Sequence, residues 1–310
     1  MRRPEWAQAS ERAGTVSTMV TPSVEVTPSR ESSVGNHPVR RALPRRDRRT
    51  VGAWCFADHM GPSRYDEQDP AGIGPHPHIG LQTVTWLVAG EMLHRDSLGT
   101  EQTIAPGQLN LMTAGRGVSH AEESIHPRGE LHGIQLWVAQ PDATRHGDAA
   151  FEHHADLPRC ELSNATGTVL VGSLAGAASD ARRDTDHFGA ELSLRGGATL
   201  VPVRPEHEHA IVVLSGRIDL DGQPIVPGRL GYVAVGRSEL RLVAGEPTRL
   251  MLLGGEPFEA EVAMWWNYVA RDRDEIAQAN VDWAEGHDRF GETASNLPRI
   301  PAPTPPWEAA

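Results

Sequence analysis

Twice along its length this chain runs through the same punctuation: a His-x-His pair, a glycine that closes a β-branched run, and a Pro-Gly turn. The first pass is His76-x-His78, Gly90 and Pro106-Gly107; the second is His207-x-His209, Gly216 and Pro227-Gly228. Internal self-similarity of this kind points to one supersecondary unit used twice. The stretches between the turns are short. Gln82 to Val88 reads Gln-Thr-Val-Thr-Trp-Leu-Val and ends at Ala89-Gly90-Glu91. Strands are predicted likewise over Gln108 to Met112, His132 to Ala139, Thr168 to Val171, Ala210 to Leu214 and Leu250 to Leu253. Short β-branched and aromatic runs at such spacing predict an all-β protein, an antiparallel barrel or sandwich. The 31 glycines and 24 prolines agree, since tight reversals draw on both residue types.

At 310 residues the chain is long enough for two domains of ordinary size. We place the first over residues 37–150 and the second over 151–290. Residues 1–36 are rich in Ser, Thr, Pro and Ala without apolar periodicity. They are expected to be a poorly ordered, dispensable lead-in. Residues 291–310 read as a proline-rich tail. One helix is predicted, from Asp272 to Glu285. Asp272 is its cap, Glu275 follows three residues later, Ile276, Ala279 and Trp283 have helical spacing, and Gly286 is the stop.

Composition removes several function classes. The formal net charge is −12, which argues against nucleic acid and anionic lipid as partners. The cluster Arg40, Arg41, Arg45, Arg46, Arg48 and Arg49 therefore reads as a solvated edge paired with acidic neighbours. All 29 basic residues are arginine, so a lysine Schiff base is excluded. Two cysteines, Cys55 and Cys160, provide neither a disulfide framework nor a thiolate zinc cage. The N-terminus reaches no apolar run and no stretch has the ~18 apolar residues of a membrane span. A monomeric, cytoplasmic protein is the expectation.

Successive side chains on a strand point to opposite faces, so residues two apart share one. His76 and His78 then project together, as do His120 and Glu122. Should their strands lie side by side in a barrel, the four converge on one interior point. Imidazole and carboxylate donors without thiolate suit iron, manganese, nickel or copper. The bland reading stands beside this one, because 15 histidines in one chain produce His-x-His pairs by chance. The later His-x-Glu, with a Pro-Gly turn between, shifts the balance toward a metal site. In the second half His207 and His209 keep the spacing, but no carboxylate follows at a matching distance, so that barrel is expected to be structural. Asp58, His59 and His132 are candidates for orienting the ligands, with ordinary core or surface roles equally open.

At these residues the chain resembles the pirin family. Gly74-Pro75-His76-Pro77-His78-Ile79-Gly80-Leu81-Gln82-Thr83-Val84-Thr85-Trp86-Leu87 is similar to the first cupin motif as pirins carry it. Asn110-Leu111-Met112-Thr113-Ala114-Gly115-Arg116-Gly117-Val118-Ser119-His120-Ala121-Glu122 resembles the second. Arg41-Ala42-Leu43-Pro44, Phe56-Ala57-Asp58-His59-Met60-Gly61-Pro62 and Trp265-Trp266-Asn267-Tyr268-Val269-Ala270-Arg271 are also similar, so the likeness spans roughly Arg40 to Phe290. The resemblance implies two cupin (double-stranded β-helix) barrels stacked face to face. It implies one divalent metal, iron(II) first and manganese, nickel, cobalt, copper or zinc as the other candidates, on His76, His78, His120 and Glu122. Some pirins have Arg and Glu where Ile79 and Gln82 stand here, which makes this pocket less charged.

The resemblance further implies a dioxygenase acting on a flavonol such as quercetin with dioxygen. Glu122 would be the base, and Trp86, Leu111 and Met112 would line an apolar slot. A second implied class is a redox-responsive regulator that binds a protein partner without turnover. A cupin isomerase finds no sugar-nucleotide site in the sequence.

Overall fold

A computed structural model describes residues 23–34, 37–68 and 72–308. Two β-barrels, each made of a seven-stranded and a four-stranded antiparallel sheet, account for most of them. In the first barrel the large sheet runs in the order Ala150–His154, Leu109–Thr113, Leu81–Ala89, Gly129–Ala139, Trp54–Tyr65, His37–Leu43, Arg30–Val34. The small sheet is Gly72–His78, Val118–Ser124, Met92–Asp96, Glu101–Ile104. The second barrel repeats the plan. Its large sheet is Val24–Pro28, Arg229–Val233, Glu208–Ser215, Thr248–Gly255, His187–Leu194, Ala165–Val171, Arg159–Leu162. Its small sheet is Gly197–Pro202, Glu239–Ala244, Ile218–Leu220, Gln223–Ile225. The two Pro-Gly turns fall at equivalent corners. Gly107 and Gly228 have φ of 84° and 83°, which the open Cβ-free residue after proline adopts without cost.

The large sheets pack against each other. Val84, Trp86, Leu109, Leu111, Ile134, Leu136 and Val138 meet Leu170, Val212, Leu214, Leu230, Met251 and Leu253 in one core. Trp54 and Trp86 lie in this interface, where burying an indole removes about 150–250 Å² from water. Their N–H groups cross it: Trp54 Nε1 donates to Phe188 O at 3.0 Å and Trp86 Nε1 to Glu191 Oε2 at 2.6 Å. Both faces of each large sheet are thus covered, one by the partner barrel and one by the barrel interior. The unbroken burial of Leu81 to Leu87 follows from that double covering.

One expectation about the chain's beginning is corrected. Residues 24–28 and 30–34 are strands, not a loose lead-in; residues 1–22 and 35–36 lie outside the described residues. Val24–Pro28 pairs with Arg229–Val233 of the second barrel, and its Val24 and Val26 pack on that barrel's core. The arginine cluster helps to hold it: Arg48 pairs with Glu25 at 2.8 Å and stacks over the Tyr232 ring, while Arg45 donates to Pro28 O. Arg41 is bidentate on Asp58 and Arg45 also meets Asp47, as a paired edge would. The proline-rich tail is likewise docked. Ile300 N donates to Pro75 O, Trp283 Nε1 donates to Ile300 O, and Trp307 packs near Trp265.

The helix is Arg273–Glu285, with Asp272 accepting from Glu275 N at 2.9 Å and Gly286 left-handed at φ 73°. Its Ile276, Ala279 and Trp283 bury against Ile79 and Tyr268, which ties the helix to the small sheet of the first barrel. No helix among the described residues is long and apolar enough to cross a membrane.

Candidate metal centre

Strand Val118–Ser124 lies between Gly72–His78 and Met92–Asp96 in the small sheet of the first barrel. Register sets His120 opposite His76 on one side and opposite Asp96 on the other, while Glu122 faces His94. Directly opposed residues share a face, so one inward layer holds His76, His78, His94, Asp96, His120 and Glu122. His76, His78 and His120 offer donor atoms that all lie within 4.8 Å of one another, and their rings are at most 5% exposed. Among the described residues no other set of three or more such side chains meets that distance.

The rings are also oriented. His76 Nδ1 donates to Gly74 O at 2.9 Å, and His78 Nδ1 donates to Asn267 O at 3.0 Å. A carbonyl only accepts, so in both rings the proton sits on Nδ1 and the Nε2 lone pair is free. His78 Nε2 and His120 Nε2 then stand 3.0 Å apart. Two nitrogen ligands at about 2.1 Å from one ion and at right angles would be separated by roughly that distance. Burial pushes the imidazole of His76 down to about 4 and those of His78 and His120 well below the ordinary range. All three are therefore neutral at physiological pH, the state in which imidazole binds a metal. The donor set fits a divalent ion.

Glu122 is buried on the same strand but lies outside the three-histidine group. Its Oε1 is 3.3 Å from Thr85 Oγ1, which is also 3.0 Å from Gln135 Oε1. Burial raises its carboxyl above the usual range, a shift only partly offset by the Thr85 hydroxyl.

The other sequence candidates fall elsewhere. Asp58 is buried under the Arg41 guanidinium, and His59 Nε2 pairs with His132 Nε2 at 3.0 Å, away from the histidine group. Trp86 and Leu111 belong to the interface between barrels, so they do not line the interior; Met112 does, with Phe56, Leu81 and Trp137. Two buried faces leave no polar side in the strand pattern to tell them apart. Gln82 is bonded to Thr113, on the strand face shared with Val84. His207 and His209 reach no protein hydrogen-bonding group with any ring nitrogen. The residues that sequence reading missed are His94 and Asp96. Their His-x-Asp spacing on a strand was the available signal, the same one used for His-x-Glu.

The pirin family model matches residues 36–138, and the pirin C-terminal cupin domain matches residues 189–291. The chain belongs to the pirin family. It is 45% identical over 276 residues to a Pseudomonas aeruginosa protein named "Putative quercetin 2,3-dioxygenase", covering 88% of each. A Caulobacter vibrioides pirin-like protein is 36% identical, with 83% of this chain and 92% of that one aligned. Among solved structures, a quercetin 2,3-dioxygenase from Acinetobacter baumannii superimposes with a TM-score of 0.88 at 39% identity, covering 91% of this chain and 96% of that one. A bacterial pirin from Escherichia coli in complex with nickel(II) shares the fold at 15% identity, with a TM-score of 0.62 over 76% of this chain and 100% of that one.

Proposed function

We propose that this pirin is a dioxygenase that opens the ring of a flavonol such as quercetin with dioxygen, using one divalent ion, iron(II) first, held by His76, His78, His120 and Glu122. The observation that supports this reading is the triad of buried imidazoles whose donor atoms lie within 4.8 Å of one another, with the Nε2 atoms of His78 and His120 3.0 Å apart. When bound, the ion supplies Lewis acidity toward the flavonol 3-hydroxyl and redox contact with dioxygen. Glu122 accepts the 3-hydroxyl proton; a carboxyl raised by burial is matched to that task. The Thr85 hydroxyl lies 3.3 Å from the carboxylate and can donate to it. Trp137 packs against His78 with ring centroids 5.2 Å apart and stacks on Phe56, giving a flat apolar wall that excludes water beside the histidines. The products are a ring-opened depside and carbon monoxide.

One observation favours a second reading, a metal-dependent regulator that binds a protein partner: His76, His78 and His120 are closed off from solvent. The experiment that separates the two is oxygen uptake. Protein loaded anaerobically with iron(II) is mixed with quercetin and dioxygen, and flavonol absorbance and carbon monoxide are followed. Turnover supports the enzyme. Its absence with iron, manganese, nickel, cobalt, copper and zinc in turn rules the enzyme out.

A further inference from the structure

We propose that His94 and Asp96 are positioning residues that fix the tautomer of His120 and thereby set the affinity of the metal centre. The inference rests on reading His76, His78 and His120 as ligands.

The chain of hydrogen bonds is directional from its far end. Asp96 is 2% exposed, and its Oδ1 accepts backbone N–H groups of Leu98 at 2.9 Å and Thr100 at 3.0 Å. Its Oδ2 lies 3.0 Å from His94 Nε2. A carboxylate accepts only, so a neutral His94 donates through Nε2 and keeps a lone pair on Nδ1. That lone pair faces His120 Nδ1 at 3.4 Å. His120 therefore carries its proton on Nδ1 and turns a bare Nε2 toward His78. The His94 ring cannot swing away easily, since Phe151 stacks on it with centroids 4.5 Å apart at 25°.

The three ligands are thus not held alike. His76 and His78 lean on backbone carbonyls, whose polarity no substitution can change. His120 leans on a side chain whose own polarity is set by a second side chain. Partners of this kind orient metal-ligating imidazoles and raise their basicity, and losing them typically costs 10–100-fold in metal affinity. The alternative is that Asp96 and His94 merely form a buried pair that ties down the turn after Asp96.

Asp96→Asn separates the two. Asn keeps a carbonyl oxygen for Leu98 and Thr100, so the turn survives. Its amide, however, donates to His94 Nε2, which moves the His94 proton to Nδ1 and sets donor against donor at His120. His120 must then carry its proton on Nε2, the ligating atom. Two readouts are used: imidazole ¹⁵N shifts of the metal-free protein, and the zinc(II) dissociation constant from chelator competition. The expected result is inversion of the His120 tautomer and a 10–100-fold weaker zinc(II) constant with little change in Tm. His94→Phe, which can still stack on Phe151, should weaken zinc(II) similarly; His94→Gln, which restores an acceptor, should recover part of the loss. Folded Asp96→Asn or His94→Phe protein with the wild-type tautomer and zinc(II) constant overturns the proposal. A wild-type chain that takes up no zinc(II), while its His120 tautomer still inverts in Asp96→Asn, overturns the metal reading and leaves the hydrogen-bonded chain standing.

Discussion

Strand Gly129–Ala139 in the first barrel and strand Thr248–Gly255 in the second hold the same place, fourth in a seven-stranded sheet. Their inward residues differ. The second barrel presents Leu250 and Leu252 to an interior built from Val169, Leu192, Ile211, Val213, Leu240 and Leu242. The first presents Gln135, which meets the Thr85 hydroxyl beside Glu122, and its apolar interior is divided in two. Leu81, Met112 and Trp137 lie in one cluster, and Leu87, Met92, Ile104 and Leu131 in the other. The histidine layer belongs to neither. One backbone plan tolerates both fillings, so the fold alone does not specify a site. The two His-x-His pairs make the same point. His76 and His78 sit on the small sheet with acceptors waiting for each Nδ1 proton, whereas His209 lies on the large sheet and His207 precedes it, with no such acceptors. Prearranged acceptors, not the spacing, distinguish the two pairs.

If the second barrel is a plain core, Leu252→Ala should behave as a core truncation and cost about 2–5 kcal/mol in urea unfolding. A loss under 1 kcal/mol would mean that interior is not close-packed and would weaken the contrast. On the first barrel the sharpest probe is Glu122→Gln, which keeps shape and removes the charge and the base. Quercetin turnover should fall on the order of 10²-fold or more, with metal content checked by elemental analysis. Turnover that persists with metal bound would defeat the role assigned to Glu122. The same analysis should give close to one metal per chain, unchanged in the double variant His207→Ala, His209→Ala.

Acid should expose the second pair differently. Burial depresses His209 to about 4, against about 6.5 in an unfolded chain. The unfolded state thus binds more protons between those values, so stability is full above about pH 6.5 and is lost as pH falls toward 4. His209→Leu should flatten that decline by up to about 1.4 kcal/mol per pH unit and, by removing a polar ring that reaches no partner, should not lower stability at pH 7. Urea midpoints at pH 7, 6 and 5 measure it; an unchanged slope would show that the ring is not held neutral. The smallest effect concerns the edge strand. A chain beginning at Arg30 loses Val24–Pro28 and the Arg48–Glu25 pair, and should unfold about 1–2 kcal/mol more easily, in the second barrel's sheet rather than at the histidine group. Equal stability would restore the view of that segment as dispensable.

What the sequence determined was local. Period-two alternation put His76 with His78, and His120 with Glu122, on common faces, and Pro-Gly punctuation announced a barrel built twice. A capped 3.6-residue pattern located the helix to within a residue. What only the tertiary structure decided was which distant groups complete those faces. The acceptor for His78 is the carbonyl of Asn267, 189 residues away, and the acceptor for His120 is His94, two strand positions from its own anchor. Trp86 and Leu111 could not be sorted between interior and interface because both faces of their sheet are buried. The edge strand beside Leu109–Thr113 comes from the segment that follows the first barrel, while the equivalent edge beside Arg229–Val233 comes from the chain's beginning. Backbone hydrogen bonding is blind to sequence separation, so an open sheet edge accepts whichever strand the packed fold brings alongside it.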